Sequence, residues 1–493
     1  MMHGHGCASR AGMQRSAQGA GFGALRFMST SSGYRRYHLR TREAADVVSH
    51  PTRFRVRVRR TRLLRMVLHE LLFEYRRHPE VALSRPCVYG VFGRVVGGLA
   101  PIHGRCVGCL RCSTQYPGIV SILPNPERER LGDSYLQPDQ VDTILYEARS
   151  GSVPVRGAGY RGRFGGPGWE GMWTDMSEIV RPTRDGIHGR EFISTDIDLG
   201  GRPAFLKFSP RGEPIGPLPE VLTLPIPFLF DPPPESRAAD HLLRALAGGA
   251  KAMGGLAILP LRDVIRLGLA GDEVAPLISL SSADSDLLDR LPTAPLLLEL
   301  DGWDPARFGE MRQRFPSTVV TVRLPADTEL VPLVKQGAAS FHLTADYHGR
   351  VGELFVLEVI RQAHDGLVRE GLREQVTLIG SGGIVAAEHV PKAILCGLDA
   401  VALDTAVWVA LQARLQGECR GRASARLSVP KFPQSWAVQR LQNLVASWRD
   451  QLLEILGAMG LREVRRLRGE IGRCMFQSDL EAEAFGDIDG FAA

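Results

Sequence analysis

Acidic residues are missing from the first 42 positions, where seven arginines stand. The formal net charge of the chain is +6, so the residues beyond that tail together carry −1. The usual electrostatic ground for nucleic-acid binding is therefore absent. No run of about 18 apolar residues occurs, and no transmembrane helix is expected. Cysteine is sparse. Eight in 493 residues are too few for a disulfide scaffold, and three of them stand at metal-ligand spacing, which fits a reducing compartment, the cytoplasm by default. The tail is rich in Arg and Ser but lacks the apolar core of a secretory signal. It reads as an organellar-type presequence or as a start placed too early, with Met28 of MSTSSGYRR the expected true start; residues 1–42 are expected to be disordered or untranslated.

What is present divides into further regions. Residues 43–150 open with RFRVRVRR and TRLLRMVLHELLFEYRRHPEV, a short strand leading into an amphipathic helix whose apolar face is expected to pack in a core. The motif RCVGCLRCSTQYPG follows. Cys106, Cys109 and Cys112 match the first three ligands of a C-x2-C-x2-C-x3-C-P iron–sulfur motif, while Tyr116-Pro117 stands where Cys-Pro is expected. Three thiolates suit a three-iron cluster, or a four-iron cluster completed by Cys87 or an exogenous ligand. Zinc with His103 is an alternative of unconvincing spacing, and a decayed site another. Residues 151–217 are dense in Gly, Pro and Arg and read as an ordered but irregular connection packed through Phe164, Trp169, Trp173 and Phe192.

From about 218 to 431, eight short apolar runs alternate with helical patterns: VLTLPIPFLF, GLAILPL, APLISL, APLLLEL, TVVTVRLP, SFHLTAD, VTLIGSG and AVALDTA. This α/β pattern predicts a closed (β/α)8 barrel of the TIM type, with an open doubly wound sheet as the rival. Residues 432–493 read as a helical C-terminal cap with a Gly457/Gly460 break. In a barrel, the Gly380-Ser381-Gly382-Gly383 turn after strand 7 and the Asp404-Thr405 turn after strand 8 lie side by side and make a phosphate site at a helix N-terminus. The bland alternative is a glycine turn required only by the fold. RPTRDGIHGRE holds Arg181, Arg184, Asp185, His188, Arg190 and Glu191; it reads first as a buried ion-pair network and second as an arginine site for a dicarboxylate. Asp346 and His348 end strand 6 at the expected catalytic face, with His348 an acid/base candidate, whereas His342 reads as packing.

The strings GAGYRGRFGGPGWEGMWTDMSEIVRPTRDGIHGREFIST, GSGGIVAAEHVPKAILCGLDAVALDTAVWVALQARLQGEC and RDQLLEILGAMGLREVRRLRGEIGR resemble the FMN-binding glutamate synthase family, in its archaeal-type form without a glutaminase domain. The resemblance runs from roughly residue 35 to the C-terminus. It implies an FMN barrel, a ferredoxin-like N-terminal segment, and electrons passed from a partner protein through iron–sulfur centres and FMN to the imine of 2-oxoglutarate and ammonia. It assigns Gly380, Ser381, Gly382, Gly383, Asp404 and Thr405 to the flavin phosphate. Four departures stand against it. Arg323 replaces the strand-5 lysine, the first strand ends LFDPPPES without a small-residue flavin loop, only Cys419 remains of the cysteines after strand 8, and no nucleophilic cysteine is placed to hydrolyse glutamine. The expectation is an FMN-dependent oxidoreductase that uses ammonia or an amine, with Arg323 beside the 2-oxo acid and Asp346 and His348 near it. An N-methylglutamate synthase-type subunit is the close alternative. A degenerate, non-catalytic barrel acting in binding or assembly is the rival class.

Overall fold

The computed structural model describes residues 26–27, 37–83, 87–93, 98–154, 167–174, 192–203, 205–215, 221–234, 239–281, 284–488 and 490. The ion-rich run 181–191, with Arg181 and Arg184, lies outside the described residues, as does Phe164.

The eight apolar runs become eight parallel strands: β1 Phe228–Phe230, β2 Leu256–Pro260, β3 Val274–Ser279, β4 Leu297–Asp301, β5 Val319–Pro325, β6 Ser340–Thr344, β7 Thr377–Ser381 and β8 Ala400–Leu403. They pair in sequence order, and β8 closes on β1 through Val401↔Phe228, Ala402↔Leu229 and Leu403↔Phe230. Strands covered by side chains inside and helices outside have no wet face, which is why their sequences are apolar without alternation. The connecting helices carry the expected stripe. Helix Asp240–Met253 buries Leu242, Leu243, Leu246 and Met253, and Pro305–Arg314 starts where Asp304 accepts the Arg307 amide at 2.9 Å.

The first predicted strand is two elements. Pro225 and Pro227 lack the amide a continuous strand needs, so Val221–Leu224 turns away and pairs antiparallel with Ile197–Gly200. This small sheet floors the barrel, where Gly200 N donates to Thr377 Oγ1 at 3.1 Å at the start of β7. In the irregular connection Trp169 is fully buried, but Trp173 and Phe192 are exposed and do not pack as expected.

Ahead of the barrel, Phe54–Val58 pairs antiparallel with Val120–Pro124, and the cysteine loop lies between them. The helix Arg60–His69 buries only Leu63 and Val67. Leu64, Leu68, Leu72 and Phe73 form a second, exposed row, so the expected core packing holds for one face alone. Among the described residues no helix is long and apolar enough to cross a membrane. At the other end the helix Gln434–Ala458 continues through Gly457, and the chain breaks only at Gly460, whose φ of 71° suits glycine.

This last helix ties the two ends together. Arg440 has no solvent exposure; it donates to the carbonyls of Ala410 at 2.6 Å, Ala44 at 3.0 Å and Leu145 at 3.4 Å, and to Asp46 Oδ1 at 2.8 Å. Removing the guanidinium takes a donor from each of these four acceptors in a buried setting. Arg440→Leu should therefore lower stability by roughly 3 kcal/mol or more, read as a fall in the thermal midpoint; an unchanged midpoint would show that these contacts are peripheral.

Candidate functional site at the barrel mouth

Parallel closure puts the C-terminal ends of all eight strands on one rim. Four ionisable residues stand there inside otherwise apolar runs: Asp231 just past β1, Glu299 on β4, Arg323 on β5 and His342 on β6. They form one network. Arg323 Nη1 donates to Asp231 Oδ1 at 2.8 Å and Glu299 Oε1 at 3.0 Å, and Nη2 donates to Asp231 Oδ2 at 3.1 Å. His342 Nδ1 lies 2.7 Å from Glu299 Oε1, and Nε2 lies 2.9 Å from Ser381 Oγ. A carboxylate beside Nδ1 demands a proton there, so in the neutral ring Nε2 accepts from the serine hydroxyl.

Burial by itself would push both acids up. The charges of Arg323 and Arg422 reverse this for Asp231 and hold it well below the usual carboxylate range, while His342 and Arg323 lower Glu299. Arg323, expected beside a 2-oxo acid, is instead committed to two internal carboxylates and nearly sealed from solvent. His342, expected as packing, is the hinge of the network.

A second cation arrives from far along the chain. The strands Arg414–Leu415 and Leu427–Ser428 form a hairpin, and its tip folds over the mouth. Arg422 Nη1 donates to Asp231 Oδ2 at 2.5 Å, Nη2 to Ser381 Oγ at 2.8 Å and Nε to the Ala345 carbonyl at 3.1 Å. Cys419, in the same hairpin, is fully buried with Sγ 3.3 Å from the Arg426 carbonyl, and is a packing thiol.

The turns after β7 and β8 do lie side by side: Gly380 pairs with Val401, and one guanidinium touches Ser381 while standing 3.7 Å from Asp404. Yet the residues present do not fit a flavin phosphate. The helix after β8, Thr405–Ala410, has six residues, and its first amide is taken by the carboxylate of Asp404 at 2.5 Å. Asp404 is fully buried, and burial with the nearby charge of Asp231 pushes its carboxyl up to about 6. A phosphate would share this space with an acid. The glycine turn is used up as well. A Cβ on Gly382 would sit 2.4 Å from the Asp346 carbonyl, and one on Gly383 would sit 2.6 Å from the Gly349 Cα, so both glycines are required by the close passage of the β6 loop. The Gly383 carbonyl also accepts from Tyr135 Oη at 2.6 Å and Trp169 Nε1 at 3.0 Å, which seals the turn from above.

Asp346 and His348 hold loops together. Asp346 Oδ1 accepts the amides of His348 at 3.0 Å and Arg350 at 2.7 Å, and Oδ2 accepts Arg420 Nε at 2.7 Å. His348 Nε2 pairs with Asp133 Oδ2 at 2.9 Å and its ring stacks on Tyr135 at 5.4 Å. Burial opposes the charged imidazole, but Asp133 outweighs it and raises the His348 pKa. His348 thus clamps the N-terminal segment to the barrel, while Asp346 orders its own loop and ties it to the hairpin through Arg420.

At the cysteine loop, Cys87, Cys106, Cys112 and Tyr116 surround a small satellite core of Val56, Val91, Phe92 and Val120. Burial, with the neighbouring thiols, raises Cys106 and Cys112. Among the described residues the only three-ligand group tight enough for a single ion is Asp133, His348 and Glu418, so the thiols are not gathered for one zinc. His103 is also spoken for, since its Nδ1 accepts the Val56 amide at 3.1 Å. An all-thiol set at this spacing suits an iron–sulfur cluster, which Cys106, Cys109 and Cys112 would hold, with Cys87 beside them.

Asp404 gives a signed test. Its folded carboxyl binds a proton more tightly than the unfolded one, whose pKa is about 3.9, so the contribution of this one group to folding stability is greatest in acid and falls as pH rises from about 4 to 6. Asp404→Asn removes that loss. The variant should gain on the wild type by up to roughly 3 kcal/mol between pH 4 and pH 7 in paired denaturation curves; curves that stay parallel across this range would show that Asp404 does not titrate so.

Residues 337–462 match the family described as a conserved region in glutamate synthase. An archaeal-type glutamate synthase (NADPH) from Dehalococcoides mccartyi is 23% identical over 430 residues, 74% of this chain and 85% of that protein. An archaeal glutamate synthase (NADPH) from Methanocaldococcus jannaschii is 38% identical over 114 residues, 22% of each chain. The Thermotoga maritima archaeal-type enzyme is 31% identical over 162 residues, 31% of each. Among solved structures a flavocytochrome b2 variant with sulfite bound aligns at TM-score 0.42 and 12% identity, over 65% of this chain and 80% of that one, a likeness too weak to carry weight. The chain carries the conserved region of glutamate synthase and is similar over most of its length to an archaeal-type glutamate synthase.

Proposed function

We propose that the chain is a glutamate synthase-like subunit whose barrel is filled by its own ions and serves binding and assembly with a catalytic partner. The observation that carries this reading is the Arg422 guanidinium bonded to Asp231 and Ser381 above the turns where a flavin phosphate is expected. The buried Asp404 carboxyl supports it from the other side. Together they occupy with matched charge the space that an anionic cofactor needs. A barrel that must first eject an arginine and accommodate phosphate beside a buried acid is poorly placed for flavin chemistry.

The reductive transfer of ammonia or an amine to 2-oxoglutarate, with electrons from a partner, is the second reading. It is favoured by the names of the relatives and by the retained cysteines. On either reading the cysteine segment is the redox-active part, its thiols kept free as in a cytoplasm.

Titration of the purified chain with FMN, followed by desalting and an absorption spectrum, separates the two. We expect less than about 0.1 flavin per chain, given the buried charges that binding must displace. Near-stoichiometric flavin, with amine-dependent glutamate formation, would establish the second reading instead. Anaerobic reconstitution should load iron and sulfide onto the wild type and not onto Cys109→Ser; absence of iron from both would make the motif a relic.

A further inference from the structure

Arg422 sits at its position as a ligand sits in a receptor. Each face of its guanidinium meets a group suited to a planar cation. The Asp231 carboxylate lies at 2.5 Å, the Ser381 hydroxyl at 2.8 Å and the Ala345 carbonyl at 3.1 Å. The Tyr347 ring lies 5.0 Å from the guanidinium carbon, a cation–π distance, and Asp404 Oδ2 lies 3.7 Å away. The receptor groups are sealed while the arginine is not. Asp231 and Asp404 are 0% and 1% exposed, against 27% for the arginine side chain. Asp404 Oδ2 and Glu299 Oε2 are buried acceptors without a hydrogen-bond partner. The tether is an exposed hairpin tip, with Arg420, Ala423 and Ser424 at the surface.

Suppose the tip swings away. The remaining groups are the carboxylates of Asp231 and Glu299 against the single permanent cation Arg323, with the Asp404 carboxyl, which holds its proton more tightly once Arg422 is gone, beside them, so the vacated mouth keeps a net negative charge and has hydroxyl, carbonyl and aromatic walls. Coulomb attraction in a buried site then selects a cation and rejects phosphate. Five donors in a flat fork, or a compact ammonium, match these acceptors.

We propose that the barrel mouth is a binding site for a small guanidinium or primary alkylammonium compound, and that Arg422 is its tethered occupant, displaced when a free cation binds. This rests on the reading that no flavin fills the mouth. A tethered group competes at an effective concentration on the order of millimolar, so the wild type holds the mouth shut against dilute cations. Loss of Arg422 opens it.

The experiment is thermal melting of the full chain with methylguanidinium, tetramethylammonium, inorganic phosphate or FMN at matched ionic strength. Arg422→Ala should melt below the wild type. Methylguanidinium at millimolar concentration should raise its midpoint in a dose-dependent way, by on the order of 1–2 °C, and leave the wild type unmoved. Tetramethylammonium, which has no N–H donor, should do neither. Arg422→Gln keeps much of the side chain without its charge and should behave alike; where either variant folds poorly, methylguanidinium in the growth and lysis buffers should recover soluble protein. Absence of any gain in both variants overturns the proposal. So does an equal rise in the wild type or with tetramethylammonium, or stabilisation of the variants by phosphate or FMN in place of the cation. Flavin bound by the wild type would defeat the reading of a flavin-free mouth, a result distinct from failure of the rescue.

Discussion

A guanidinium locked between two carboxylates inside a closed barrel is the constraint on which the upper half of this structure depends. Once Arg323 stands on β5 with almost no exposure, Asp231 and Glu299 must face it, because an unpaired charge at that depth costs several kcal/mol. Asp231 still has accepting capacity after Arg323 is satisfied, and Arg422 uses it. Arg422 can reach only if the hairpin 414–428 folds inward, so the position of a loop nearly two hundred residues later follows from an aspartate at the end of the first strand. His342 completes the circuit by bridging the Glu299 carboxylate and the Ser381 hydroxyl through its two ring nitrogens. A half-satisfied version would be worse than an apolar one.

The glycine turn shows how one sequence pattern serves two purposes. Gly382 and Gly383 have φ values of 96° and 71° and backbone neighbours where a Cβ would stand. Both facts require glycine whether or not an anion binds. Close passage of the β6 loop on one side and of Tyr135 and Trp169 on the other makes the turn a packing joint. The scaffold by itself therefore accounts for these glycines, while the chemistry of the mouth rests on side chains that the scaffold does not fix.

The cysteine segment is held at one remove from this mouth. Its own small core and two-stranded pairing position the loop, and the chain after it is fastened to the barrel by His348 with Asp133 and by Tyr135, and to the C-terminal helix by Arg440 through the Leu145 carbonyl. These fasteners are polar groups bridging segments hundreds of residues apart. They join N-terminal segment, barrel and cap through contacts that no local pattern encodes.

The sequence by itself determined the barrel, because eight apolar runs at regular spacing, each followed by a helical pattern, have few other ways to cover both faces of a parallel sheet. It also determined that the turns of β7 and β8 meet, since consecutive strands of a closed parallel barrel lie side by side. Even the ion network left a trace in four charged or ionisable residues within or just past apolar strands, Asp231, Glu299, Arg323 and His342. What only the tertiary structure decided was the partner of each. Arg422 lies in a run of ordinary loop residues, and nothing in its neighbours says that it returns to the first strand. Asp404 looks like a phosphate-loop residue until its carboxyl is seen capping its own helix in full burial. The physical reason is the same in both cases: burial and long-range charge set what an ionisable side chain does, and neither is a local property of the chain.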